Sequence, residues 1–229
     1  MALTTPVSGS KSLTATEAQD TASPLLITSP ACPGPVEEAY HALLTNIDLA
    51  LGPRAGRVVV VAAVDDKADA ALVAANLALV SGQAGDRTLI VDANTQAPRL
   101  AALFGVPPGP GLAQLLADEH KDLRELAQST PVPTLGVVTA GVDGGRHNRL
   151  DRLGDLSGLL LRLKNVADRA IIVAPPVLAS TDVVRLGEYA DGVLLVIAPG
   201  VTGREQAARA HALLEKAQTP VLGVVLAPR

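Results

Sequence analysis

From Arg57 onward the chain alternates short runs of Val, Ile and Leu with longer amphipathic segments. The apolar runs predict strands near 57–63, 87–92, 134–139, 169–174, 192–197 and 221–226. The segments between them predict helices near 70–84, 111–117, 150–165, 180–189 and 204–217. Ahead of these, VEEAYHALLTNIDLAL places Ala39, Leu43, Ile47 and Ala50 at helical spacing, with acids in the first turn that suit the helix dipole. Strands that are apolar on both faces belong in the middle of a parallel sheet with helices above and below. The pattern therefore predicts a doubly wound, mainly parallel α/β fold, whose ligands sit at the carboxyl ends of the strands. Residues 1–35, rich in Ser, Thr, Pro and Ala without sustained periodicity, read as a mobile tail; residues 36–229 read as one domain.

Composition narrows the class. A chain of 229 residues, 48% hydrophobic and 18% charged, has enough apolar material for one sizeable core. A net charge of −4 with 1% aromatic residues argues against nucleic acid, which needs cations for phosphates and rings for bases. The longest apolar runs, such as Val58 to Val64, fall far short of the ~20 residues that span a bilayer. Cys32, the only cysteine, cannot form an internal disulfide, and no N-terminal stretch shows the basic region followed by an apolar core that export needs, so the expected compartment is the cytoplasm. The histidines at 41, 120, 147 and 211 have no ligand spacing with one another or with Cys32, and no metal site is expected.

The loop after the first strand is VDDKADAA, residues 64–71, in the place where a strand–loop–helix unit would carry a glycine-rich phosphate cradle. It holds Asp65, Asp66 and Asp69 and no glycine. Aspartate is a favoured helix N-cap, and such a carboxylate satisfies the orphan N–H groups that a phosphate would otherwise meet. Lys67, the one cation among these acids, reads as their surface ion-pair partner. Ser180, Thr181 and Asp182 read as a capping pattern, and Gly141 to Arg146 as a loop.

The runs AANLAL (74–79), LIVDANTQAPRLAALFG (89–105), APPVLASTD (174–182), YADGVLLVIAPG (189–200) and PVLGVVLAP (220–228) resemble the bacterial tyrosine kinases of polysaccharide synthesis. That family shares a P-loop NTPase-like fold with the septum-positioning and partitioning ATPases. The likeness covers about residues 30–229 in order. It implies P-G-E-G-K-[ST]-T-T where this chain has Asp66-Lys67-Ala68-Asp69-Ala70-Ala71-Leu72-Val73, so Ala70 stands for the lysine and Ala71 for the magnesium-binding hydroxyl. The family's D-x-D reads Asp92-Ala93-Asn94, the magnesium aspartate of its h-h-h-D-T-P-P strand end is Val173, and its adenine-reading asparagine is Ala227. Its E-x-x-R-x-x-R ring motif reads Glu38, His41 and Leu44, and its tyrosine-rich tail has no counterpart: the tyrosines are Tyr40 and Tyr189. Like charges about 4 Å apart repel by about 4 kcal/mol at an intermediate dielectric, so Asp66 and Asp69 oppose a phosphate.

The expectation is a degenerate nucleotide site without cofactor or metal, in a pseudokinase that binds a membrane-embedded polysaccharide chain-length or export protein, or an active kinase paralogue, at the inner face of the membrane. Two alternatives stay open. One is an active ATP- and magnesium-dependent tyrosine kinase using Lys67 and Asp92; the other is a relative of the positioning ATPases.

Overall fold

The structure, a computed structural model, describes residues 22–52, 54–118, 121–141 and 156–227. The chain opens on α1 (Gly34–Leu51), then runs β1 (Arg57–Ala63), α2 (Ala70–Gln83), β2 (Thr88–Asp92), α3 (Leu100–Phe104), α4 (Leu112–Ala117), α5 (Leu123–Leu126) and β3 (Gln128–Ser129). It continues with β4 (Leu135–Val138), α6 (Leu156–Val166), β5 (Arg169–Val173), α7 (Asp182–Tyr189), β6 (Gly192–Ile197), α8 (Arg204–Lys216) and β7 (Val221–Leu226). Among the described residues these strands form one sheet in the order β3-β4-β2-β5-β1-β6-β7, parallel throughout except for β3, which runs against β4.

The sheet is doubly wound because successive side chains of a strand face opposite sides. Val58, Val60 and Ala62 of β1 join the layer formed with α4, α5, α6, α7 and α8; Val59, Val61 and Ala63 join the layer under α1, α2 and α3. Every residue of β1 and β5 is buried, which accounts for their unbroken apolar runs. Helix α2 lies between the sheet and α1, and twelve of its fourteen residues are buried. A helix that is apolar all round needs such cover.

Three elements escape the periodicity, namely α3, α5 and β3, each too short to show it. The apolar stripe of α1 is also shifted from the expected one. Ala39 and Ala50 are exposed, and the inward face is Tyr40, Leu43, Leu44, Ile47 and Leu51. Helical spacing fits both sets, but the larger side chains bury more apolar area and so set the rotation of the helix. Of the helix expected near 150–165, residues 150–155 lie outside the described residues, as do His120, His147 and the loop beyond Gly141. The described residues contain no helix long and apolar enough to cross a membrane.

Residues 22–33, assigned by composition to the tail, are packed against the domain. Leu26 and Ile27 are buried in the layer of α2. The buried Asn76 side chain accepts the Ile27 N–H at 3.0 Å, its amide donates to Leu25 O at 3.4 Å, and Ser23 N–H donates to Leu103 O at 2.9 Å.

A charge cluster closes the sheet at the end opposite the carboxyl termini of its parallel strands. Arg57 and Arg169 begin the neighbouring strands β1 and β5, are paired in register and are both buried. Two adjacent buried cations need counter-charge. Asp48 of α1 supplies it to both, to Arg57 Nη1 and, at 2.7 Å, to Arg169 Nη2. Asp86 adds a second carboxylate 3.0 Å from Arg169, Ser81 Oγ accepts from Arg169 Nε at 2.9 Å, and Gly52 O accepts from Arg57.

Candidate functional site

The loop after β1, the loop after β2 and the turn after β5 meet at the carboxyl ends of three adjacent strands. They enclose a cleft of about 560 Å³, whose walls include Asp66, Lys67, Asp69, Ala70, Ala71, Asn94 and Val173. Asp92 and Ala227 do not line it. Ala227 directly follows β7, its N–H donating to Ile197 O at 3.0 Å.

The three aspartates of the first loop do different things. Asp65 is buried; its Oδ1 accepts the Lys67 N–H at 3.2 Å and the Thr202 hydroxyl at 3.1 Å, and its Oδ2 lies 3.7 Å from Lys67 Nζ. The lysine head group also reaches Val201 O, at 3.5 Å, so it is held towards the loop between β6 and α8. Asp66 is exposed. Asp69 is the N-cap of α2: its Oδ1 accepts the Leu72 N–H at 3.1 Å, and its Oδ2 pairs with Arg99 Nη2 at 3.0 Å. One carboxylate thus meets a helix N-terminal donor and a guanidinium together, the two partners an anion would seek at this place.

Asp69→Ala is expected to lower stability by about 1 kcal/mol, the usual cost of losing a cap, whereas Arg99→Ala should cost about half that, because its ion pair is largely solvated. Urea denaturation of the two variants beside the parent checks the order.

Ala70 and Ala71 begin α2 with their methyl groups buried in the α2 layer, and Val173 is buried there too, opposite Asp92 in the register of β5 with β2. None of the three side chains carries a charge or an oxygen. Asp92 is fully buried, and its carboxylate is taken up by backbone: Oδ1 accepts the Asn94 N–H at 3.2 Å, and Oδ2 accepts the N–H groups of Arg99 and Leu100 at 2.8 and 2.9 Å. It therefore holds the turn into α3. Burial pushes its pKa above the ordinary carboxylate range, partly offset by the three backbone donors. Asn94 caps its own turn, accepting the Ala97 N–H at 3.3 Å.

Ser180 lines the far wall; its hydroxyl donates to Asp182 Oδ2 at 2.7 Å and accepts the Asp182 N–H at 3.1 Å. The cap of α7 thus comes from Ser180, while Thr181 at the N-cap position makes no side-chain cap. Among the described residues no group of three or more His, Cys, Asp or Glu is placed to hold a metal ion.

Arg99 is the site residue that the sequence reading passed over. Its signal was position: a cation seven residues past Asp92, in a loop at the carboxyl end of a strand in a parallel sheet.

No protein-family profile matches the chain. Tyrosine-protein kinase YwqD of Bacillus subtilis is 30% identical over 189 residues, covering 82% of this chain and 79% of the kinase. Among solved structures, the chimeric protein CapA2B2 superposes with a TM-score of 0.74 at 26% identity, over 90% of this chain and 91% of that one. The septum site-determining protein MinD of Pyrococcus horikoshii, solved with Mg-ADP, shares the fold alone, with a TM-score of 0.63 at 21% identity over 74% of this chain and 69% of that one. The 30% identity to a tyrosine-protein kinase over most of both chains and the structural overlap with CapA2B2 converge, and the chain belongs to the bacterial tyrosine-protein kinase family.

Proposed function

We propose that this member of the family works by binding and not by turnover. It would be a pseudokinase module of exopolysaccharide or capsule assembly, docked at the inner face of the membrane on a chain-length or export protein, or assembled with an active kinase paralogue. The observation that carries the reading is Asp69, whose carboxylate already takes both the α2 N-terminal donor and Arg99. Phosphoryl transfer rests on positioning and on neutralising charge with metal, lysine and backbone donors. Where the family resemblance places the lysine, the hydroxyl and the magnesium carboxylate, the residues are Ala70, Ala71 and Val173. The remaining carboxylate, Asp92, is spent on three backbone N–H groups. Around the loop, Asp65, Asp66 and Asp69 outnumber Lys67 and Arg99, a balance that disfavours a polyanion. These residues do not fit ATP with magnesium, and no chemical step is assigned to them.

Calorimetric titration of the purified chain with ATP and magnesium tests the reading. No saturable binding is expected at millimolar nucleotide. Saturable binding that weakens in Asp92→Asn would overturn it in favour of an active nucleotide-dependent enzyme. The pathway is tested separately, by whether the gene neighbours polysaccharide-assembly genes or division and segregation genes.

A further inference from the structure

β7 forms one margin of the sheet, with β6 as its only neighbour among the described strands. Ala227 turns its N–H inward to Ile197 O. Backbone groups alternate along a strand, so Val225 also faces β6 while Val224 and Leu226 direct their N–H and C=O outward. The same two residues carry exposed apolar side chains, 51% and 66% accessible. From Ala217 to Ala227 no side chain is charged. Protein sheets usually guard such a margin with lysine, proline or a bulge. Here the one irregularity lies at the other end of the strand, opposite Val193 and Leu194.

We propose that this margin is where a second copy of the chain joins, the two β7 strands pairing antiparallel about a two-fold axis that runs perpendicular to the sheet beside Val225. That axis sets Val224 opposite Leu226 of the second copy, and Leu226 opposite its Val224. Both pairs then have outward backbone groups on both strands, which is the reciprocal hydrogen-bonded arrangement of an antiparallel ladder. A two-fold perpendicular to the sheet keeps the four side chains on one face, where they cover one another. The backbone demands an extended strand as occupant, and the chemistry selects an uncharged apolar one, since a charged segment would find no counter-charge along Ala217 to Ala227. β7 is itself such a strand. The proposal is independent of what the cleft takes up.

Sedimentation equilibrium of the full chain over a range of concentrations tests it, with circular dichroism showing that each variant is folded. The parent is expected to dimerise. Val224→Lys combined with Leu226→Lys should raise the dimer dissociation constant roughly a hundredfold, because like charges meet across the axis. Val224→Lys combined with Leu226→Glu should restore most of the affinity, because the register then sets opposite charges face to face. A parent that stays monomeric, a dimer indifferent to the double lysine, or a lysine–glutamate pair no tighter than the double lysine would each overturn the proposal.

Discussion

Replacing Asp48 with alanine is expected to lower the free energy of unfolding by about 3 kcal/mol, a cost set by the arginines it serves and not by the aspartate itself. The Asp48 side chain is 42% exposed and would be readily hydrated alone, but those of Arg57 and Arg169 are 7% and 5% exposed and cannot be. Without Asp48, Arg57 keeps only the Gly52 carbonyl, and Arg169 keeps only Asp86 and Ser81. Arg57 Nε and Arg169 Nη1 are already buried without a hydrogen-bond partner, so the cluster has no slack. Asp48→Asn keeps an acceptor and should cost roughly half as much. Denaturant unfolding of both variants is the measurement. If the charge argument holds, adding Arg169→Met to Asp48→Ala should recover part of the loss, because the uncompensated cation leaves with its side chain.

Asp92→Ala is the second large effect, about 3 kcal/mol, because three backbone donors at a fully buried position lose their acceptor together. The damage should centre on the turn between β2 and α3, visible as faster amide hydrogen exchange at Arg99 and Leu100. The same residue sets a pH signature. Its folded pKa is raised above the unfolded value of 3.8, so the folded state holds this proton more tightly. Its stabilising contribution is fully present below 3.8 and is lost as pH rises through the raised folded pKa. Asp168 works the other way. Held to about 2 chiefly by its hydrogen bond from the Arg87 side chain, it contributes stability above 3.8 that is lost as pH falls towards 2. Comparing stability against pH for the parent and Asp92→Asn isolates the first effect: the variant should lack the decline on the alkaline side of 3.8 while keeping the acid loss due to Asp168.

Much of this architecture could be read directly from residue order. Central parallel strands are apolar on both faces, and runs such as RVVVVAA announce themselves without help from the rest of the chain. The Asp69 cap was legible for a similar reason, being a local interaction within one turn of helix. What stayed hidden depends on distant residues meeting. Arg57 and Arg169 look like polar punctuation at the start of a strand; only the sheet order makes them neighbours and brings α1 across to offer Asp48. Leu26 and Ile27, between prolines and serines, form too short a run to reveal burial. Arg99 had a suggestive location, but its partner lies thirty residues earlier.

Asn76 clasps the backbone on both sides of Leu26, while Leu25 stands in the wall of the cleft. That clasp acts as a mooring: it fastens this stretch of backbone to α2, so Leu25 is held in the cleft wall by a helix and not by the loops around it.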